Sequence, residues 1–309
     1  MGGRRPAVLY TGVMSSFTNV VIIFNPNSTG NAKDQADRLK ADLAEALPAL
    51  PVELMPTQHA GHAIELSYAA ARATTSPLVV SASGDGGYNE VINGALRAQG
   101  EGFHPTCAVL PSGNANDHAR TMQDDPLADL IVSDKISQLD VLKVSAADSE
   151  GGSTVRYAHS YVGLGLTPTV AVELNKHTLN SLKEAWIVLR TFWSLHPVVL
   201  EVEGKTRKID SLICSIIPEM AKMLTLSDKA APDDGLFEMV VFEHNRKFRL
   251  LLRLIKGVFS HLGANSRIRD YRCTVVDPAP IQLDGEVMEL KARTDLEISI
   301  CPGLLRTVV

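Results

Sequence analysis

Short apolar runs alternate with amphipathic stretches over the first 140 residues. NVVIIF (19–24) has the unbroken β-branched hydrophobicity of a strand buried on both faces. Residues 32–47 then set Ala36, Leu39, Leu43, Ala46 and Leu47 at helical spacing. PVELMP (51–56) predicts a second strand, residues 60–73 an Ala-rich helix, and PLVVSAS (77–83) a third strand. A helix over about 88–98 carries Val91, Ile92, Ala95 and Leu96, and TCAVLP (106–111) closes the series. Such alternation with short connections predicts a parallel sheet with helices on both faces.

The second half has another texture. Strands are predicted at 139–145, 155–163, 197–203, 208–217, 236–243, 267–276, 287–291 and 295–301. Helical stretches at about 178–194 and 246–261 interrupt them. The fold expected is an α/β domain over 18–138 followed by an antiparallel β-sandwich over 139–302. Residues 1–17 form an N-terminal extension, and 303–309, after Pro302-Gly303, return to the first domain as an added strand.

Composition narrows the function classes. A chain of 309 residues with 45% hydrophobic and 21% charged residues is an ordinary globular protein with room for two domains. Its net charge of −5 offers no basic field for nucleic acid. Cys107, Cys214, Cys273 and Cys301 lie far apart with no C-x-x-C pair, which argues against disulfides or zinc and for a cytoplasmic setting. The apolar runs are too short to span a bilayer, and Gly and Ser break the stretch after Arg4-Arg5, so no secretory signal is read. His59 and His62 are close in sequence but lack a further ligand pattern, and no histidine is assigned a metal.

Three turns follow predicted strands and precede predicted helices, at the edge where open α/β sheets bind ligands. FNPNSTG (24–30) offers Asn25, Ser28, Thr29 and Gly30 before a helix N-terminus. SASGDGGYNEVINGA (81–95) places Gly84, Gly86 and Gly87, free to take positive φ, around Asp85, with Asn89 and Glu90 in the first helical turn. LPSGNANDHAR (110–120) brings Ser112, Gly113 and Asn114, with Asn116 and Asp117 starting a helix. Taken singly, the first and third read as capped polar turns, and the second as a Gly-rich turn, weak evidence alone but of an uncommon G-D-G-G-x-N-E pattern before an amphipathic helix. Together they describe a nucleotide pocket. Two later segments, APDDGLF (231–237) and LDGE (283–286), read alone as a solvated acidic turn and an Asp-Gly hairpin turn.

With NPNSTG, SGDGGYNEVING and PSGNANDHAR in this order, and PDDGLFEMVVF (232–242) and LDGE behind them, the sequence resembles the diacylglycerol kinase catalytic-domain family. That family includes bacterial lipid kinases and sphingosine and ceramide kinases, relatives of the NAD kinase-like superfamily. Its second loop reads G-G-D-G-T, where this chain has Ser83 in place of the first glycine and Gly87 in place of the threonine; Asn114 replaces a threonine of the third loop. The resemblance implies an ATP- and Mg2+-dependent lipid kinase, transferring the γ-phosphate to a diacylglycerol-like alcohol. It implies nucleotide contacts from the three loops and Thr57, with Asp85 acting through magnesium. Glu286 is the implied catalytic base, on the turn made by Asp284 and Gly285, with Asp85 and Asp284 the other implied catalytic residues. Asp234 and the carbonyls of Ala231 and Leu236 are the implied structural metal site, which Asp233 links to Asp85 through water.

A lipid substrate requires a membrane surface. In 245–262, Phe248, Leu251, Leu252, Ile255 and Phe259 share one face and Arg246, Arg249, Arg253 and Lys256 another. A structural helix with a solvated basic face is the simpler reading, and peripheral contact with an anionic membrane the second. Trp186 and Trp193, seven residues apart, read first as core and second as lining for an acyl chain. The expected partners are therefore ATP, a lipid alcohol and a membrane surface, with a homodimer as the commonest oligomer. Two alternatives stay open: an NAD kinase-like phosphotransferase and a non-catalytic lipid- or nucleotide-binding regulator.

Overall fold

A computed structural model of the chain describes residues 15–28, 30–169, 196–220, 224–227, 229–244 and 266–309. The helices expected at 178–194 and 246–261, the tryptophan pair, the basic face and Thr29 lie outside the described residues. The chain divides into two units. The first runs to Asn114 and adds Met122–Ser137 and Arg306–Val309; the second comprises Ala115–Thr121 and Gln138–Leu305.

The first unit begins β1 (Asn19–Phe24), α1 (Ala32–Ala46), β2 (Val52–Pro56), α2 (His62–Ala73), β3 (Pro77–Ser83), α3 (Asp85–Gln99) and β4 (Thr106–Pro111). Two short helices follow, α4 (Asp117–Met122), most of which belongs to the second unit, and α5 (Leu127–Val132). The strands are parallel in the order β2-β1-β3-β4. The alternation of β1 sets the layers, since successive side chains face opposite sides of a sheet. Val20, Ile22 and Phe24 join a core with Leu39 and Leu43 of α1 and Leu130 and Ile131 of α5. Val21 and Ile23 face the other way, onto Ala63 and Ala70 of α2 and Val91 of α3. Both faces are covered, as the continuous hydrophobicity of the strands requires.

The second unit contains β5 (Ile136–Ala147), β6 (Ser153–Ala158), β7 (Tyr161–Gly165), β8 (Val198–Val202), β9 (Lys205–Ser215), β10 (Glu219–Met220) and β11 (Leu224–Thr225). It continues with β12 (Phe237–Glu243), β13 (Ser266–Ile268), β14 (Asp270–Val275), β15 (Ala279–Leu283), β16 (Glu286–Leu290) and β17 (Thr294–Val308). Antiparallel pairing runs β16-β15-β7-β9-β8-β14-β17, with β12 on β9 and β13 on β12.

The terminal segment is no separate return strand. β17 passes through Pro302 and Gly303 (φ +59°) without ending. Its last residues lie in the first unit, where Thr307 pairs with Cys107 in parallel. Tyr88, fully buried, puts its hydroxyl 2.9 Å from Thr307 Oγ1, which in turn donates to the Cys107 carbonyl at 3.0 Å.

Candidate active site

Strand order places a crossover switch between β1 and β3, from which the chain leaves in opposite directions, and ligands bind outside the carboxyl ends of strands at such a point. Backbone and side chains tie the three loops there into one rim. Gly30 approaches Ser112 so closely that a Cβ on it would stand 1.8 Å from the Ser112 carbonyl oxygen. Gln35 clamps this approach, donating to the Gly30 carbonyl and accepting from Ser112 Oγ, both at 3.1 Å. Ser112 N–H donates to the Ser83 carbonyl at 2.9 Å, which joins the third loop to the second. Thr57 N–H donates to the Phe24 carbonyl at 2.8 Å, beside the first loop. Gly113 and Asn114 are exposed on the same rim.

Several residues do structural work within the loops. Asn25 Oδ1 accepts the Asn27 N–H at 2.9 Å, and Ser28 Oγ accepts the Ala32 N–H at 3.3 Å, so the loop is a polar turn, while the N-cap of α1 itself, Asn31 at φ +55°, makes no side-chain cap bond. Asn89 is buried and its Oδ1 accepts from Asn93 Nδ2 at 3.1 Å. Glu90 Oε1 accepts the Gly61 N–H at 3.0 Å, holding the β2–α2 connection. These two bonds position helices, a role the sequence reading did not assign. Because Gly30 cannot gain a methyl without moving the Ser112 backbone, Gly30→Ala is expected to strain the rim and cost about 1–3 kcal/mol of stability, measured by thermal unfolding.

The second loop differs from expectation. Gly84 follows β3 as the extended N-cap of α3, which starts at once at Asp85, three residues early. Gly84, Gly86 and Gly87 take no positive φ. Asp85 is 9% exposed and stands in the first turn of α3, where unpaired N–H groups favour anions.

In the second unit the Asp-Gly turn is real and does more than reverse the chain. Asp284 (φ +50°) and Gly285 (φ +103°) join β15 to β16, pairing Leu283 with Glu286. The Asp284 carboxylate is fully buried; Oδ1 accepts the N–H groups of Ser160 and Tyr161 at 2.9 Å, and Oδ2 that of His159 at 2.7 Å. Asp284 is therefore a positioning residue rather than a catalytic one, and Glu286, exposed, is the carboxylate it presents. Around it His159 Nδ1 lies 2.8 Å from Ser160 Oγ and 3.2 Å from His118 Nδ1. Burial, and next the His159 ring, push His118 well below the ordinary imidazole range, so it is neutral near pH 7.

The acidic segment departs from its expected role. Asp140, 2% exposed, accepts the N–H groups of Gly235 at 2.7 Å and Gly303 at 2.8 Å. Asp234 Oδ1 accepts the Leu236 N–H at 2.9 Å, and Oδ2 accepts from the Arg267 guanidinium. Arg267 Nε also lies 2.7 Å from Oε1 of Glu238, which is 2% exposed. One guanidinium thus pairs with two carboxylates, and it occupies the Asp234 oxygen that a cation would need. With one Asp234 oxygen on the Leu236 N–H and the other on Arg267, a cation held by Asp234 and the carbonyls of Ala231 and Leu236 would have to displace Arg267; Asp233 is exposed beside it. Chelation is expected to leave the wild-type melting temperature within about 1 °C, whereas Arg267→Met, which strips a buried carboxylate of its partner, lowers it by roughly 5–10 °C. A large wild-type loss on chelation would restore the metal reading.

His59, His62 and Glu65 bring one ligand atom each within 4.8 Å. His62 Nδ1 accepts the Gln58 N–H at 3.0 Å, so in the neutral ring Nε2 carries the proton, and the two rings stack at 4.7 Å. The trio is a stacked pair beside a carboxylate. Sequence reading also missed Gln35, Asp140, His118, His159 and Arg267, because each gains its role from residues distant in the chain.

A doubly covered parallel sheet with loops gathered at its carboxyl edge, followed by an antiparallel unit, defines an α/β fold class with a second, strand-rich domain. Residues 19–144 match the family described as "Diacylglycerol kinase catalytic domain". A diacylglycerol kinase from Bacillus subtilis (strain 168) is 27% identical over 179 residues, 54% of this chain and 55% of the relative. The match thus spans about half the length of that curated relative. The crystal structure of a diacylglycerol kinase from Bacillus anthracis str. Sterne superposes with a TM-score of 0.69 at 18% identity, covering 96% of this chain and 98% of that one. That likeness extends the shared fold over nearly the whole chain. Among the described residues no helix is long and apolar enough to cross a membrane.

Proposed function

We propose that the chain is a lipid kinase that takes Mg-ATP as phosphoryl donor and a diacylglycerol-like alcohol as acceptor. The observation that carries this reading is the joining of three loops, through Gly30, Gln35, Ser112 and Ser83, at the β1/β3 switch point. The family match over the same residues and the name of the Bacillus subtilis relative support the acceptor class.

In this reading the first turn of α3 and the Ser112–Asn114 loop receive the phosphates of ATP. Asp85 holds the magnesium ion that arrives with the nucleotide, since hard cations prefer carboxylate oxygen. Glu286 takes the hydroxyl proton of the acceptor as its oxygen attacks the γ-phosphorus, and ADP leaves with the electrons of the broken P–O bond. Asp284 keeps the Glu286 turn in place. The product is a phosphorylated lipid, and the protein works peripherally at a membrane surface.

The test is transfer of labelled γ-phosphate from Mg-ATP to mixed micelles of diacylglycerol, monoacylglycerol, a sphingoid base and an isoprenoid alcohol, with NAD as a water-soluble acceptor. Labelled lipid supports the proposal and names the acceptor. Labelled NAD, or nucleotide binding without turnover, overturns it.

A further inference from the structure

Two departures from the family pattern of the second loop meet at one point in space. A Cβ built on Gly87 would lie 2.6 Å from Ser83 Oγ and 2.7 Å from Ser83 Cβ. The second distance matters more, because Ser83 Cβ is fixed to the backbone and cannot swing away. Side chains at positions 83 and 87 therefore exclude each other on this backbone. The chain has serine with glycine where the pattern has glycine with threonine, so either arrangement places one hydroxyl in the same small space.

We infer that Ser83 and Gly87 are an exchanged pair, and that Ser83 Oγ is the hydroxyl ligand of this loop for a phosphate oxygen of the nucleotide. The inference rests on the nucleotide-binding reading of the rim and adds to it a residue that the family pattern would leave as glycine. Ser83 is only partly buried, at the last position of β3 and beside the first turn of α3. Its carbonyl is held by the Ser112 N–H at 2.9 Å, which fixes the backbone under the hydroxyl. Its Oγ donates to the Gly84 carbonyl at 2.9 Å and lies 2.6 Å from the Oγ of buried Ser81. With the Ser83 proton spent on Gly84, the Ser81 hydroxyl is the donor of that short contact. A serine hydrogen rotates to suit its acceptor. An arriving phosphate oxygen, carrying more charge than a carbonyl, takes the Ser83 proton from Gly84, while Ser81 continues to donate to Ser83 Oγ and polarises it.

Space filling alone would also explain a serine opposite a glycine, and Ser83→Ala separates the two roles. It keeps the Cβ that fills the space at position 87 and removes only the oxygen. Mg-ATP binding is measured by titration calorimetry without lipid, beside thermal unfolding, for wild type, Ser83→Ala, Ser83→Gly, Gly87→Thr and the double variant Ser83→Gly/Gly87→Thr. Ser83→Ala is expected to bind about ten- to a hundredfold more weakly, the worth of one hydrogen bond to a charged group, with little change in melting temperature. Gly87→Thr alone is expected to melt lower and bind poorly, and the double variant to recover binding to within about threefold of wild type, since neighbours that share one space are strongly non-additive. Ser83→Ala binding like wild type overturns the inference and leaves the lipid kinase reading standing. So does a double variant no better than Ser83→Gly. Wild type that binds no nucleotide at all overturns both, and the melting temperatures then show whether the pair is exclusive for packing alone.

Discussion

Asp284→Ala is expected to destabilise the second unit by about 3–5 kcal/mol, because it leaves three buried N–H groups at the start of β7 without their acceptor. For a unit of this size that corresponds to a fall of roughly 10 °C in melting temperature. The carboxylate works as a clamp: one oxygen takes the N–H groups of Ser160 and Tyr161, the other that of His159. Alanine also adopts positive φ poorly, and residue 284 stands at φ +50°. Asp284→Asn is the informative companion. Asparagine tolerates that backbone and can keep the two bonds to Oδ1, but its amide nitrogen replaces the oxygen facing His159 N–H. Its loss should be smaller, about 1–3 kcal/mol. Chemical or thermal unfolding of both variants checks this order. Equal losses would mean that the bond to His159 N–H sets the cost, since asparagine keeps both the turn conformation and the two bonds to Oδ1.

Much of the first unit is legible in the sequence because three of its strands, β1, β3 and β4, are largely buried on both faces. Strands 19–24, 77–83 and 106–111 were expected where β1, β3 and β4 stand, each a hydrophobic run closed by Asn, Gly or Pro. The start of α3 was misplaced for the opposite reason. Asp85-Gly86-Gly87 has weak helix propensity and reads as loop, and tertiary contacts such as the Tyr88 hydroxyl on Thr307 hold it helical. Six-residue α5 is too short to show a period, and β15, with Pro280 inside it, carries a residue that argues against a strand. At the site, residue types at the loops were readable but their partners were not. Asp284 clamps residues more than 120 positions earlier, and Gln35 reaches Ser112 across 77 positions. The exclusion between Ser83 and Gly87 spans only four positions, yet it looked like two unrelated departures because a strand end and a helix start bring them together.

Glu286→Gln is expected to reduce phosphoryl transfer to the lipid by a factor of about 10²–10⁴ while leaving the melting temperature unchanged. The substitution keeps the length and shape of the side chain and removes only its ability to take a proton. Residue 286 is exposed, its backbone is held by the pair with Leu283, and glutamine keeps an acceptor oxygen and adds donors, so the melting temperature serves as the control for folding. Mg-ATP affinity should also stay within about threefold, because the proposed role concerns the acceptor hydroxyl and not the nucleotide. The contrast with Asp284 is the argument for two distinct duties on one turn: the buried carboxylate answers to a melting curve and the exposed one to a rate. Measuring single-turnover transfer, nucleotide affinity and melting temperature on the same preparations separates them. If Glu286→Gln retains more than about a third of the wild-type rate, Glu286 is not the base. If it loses rate and stability together, position 286 belongs with Asp284 in holding the turn, and the proton must go to another group.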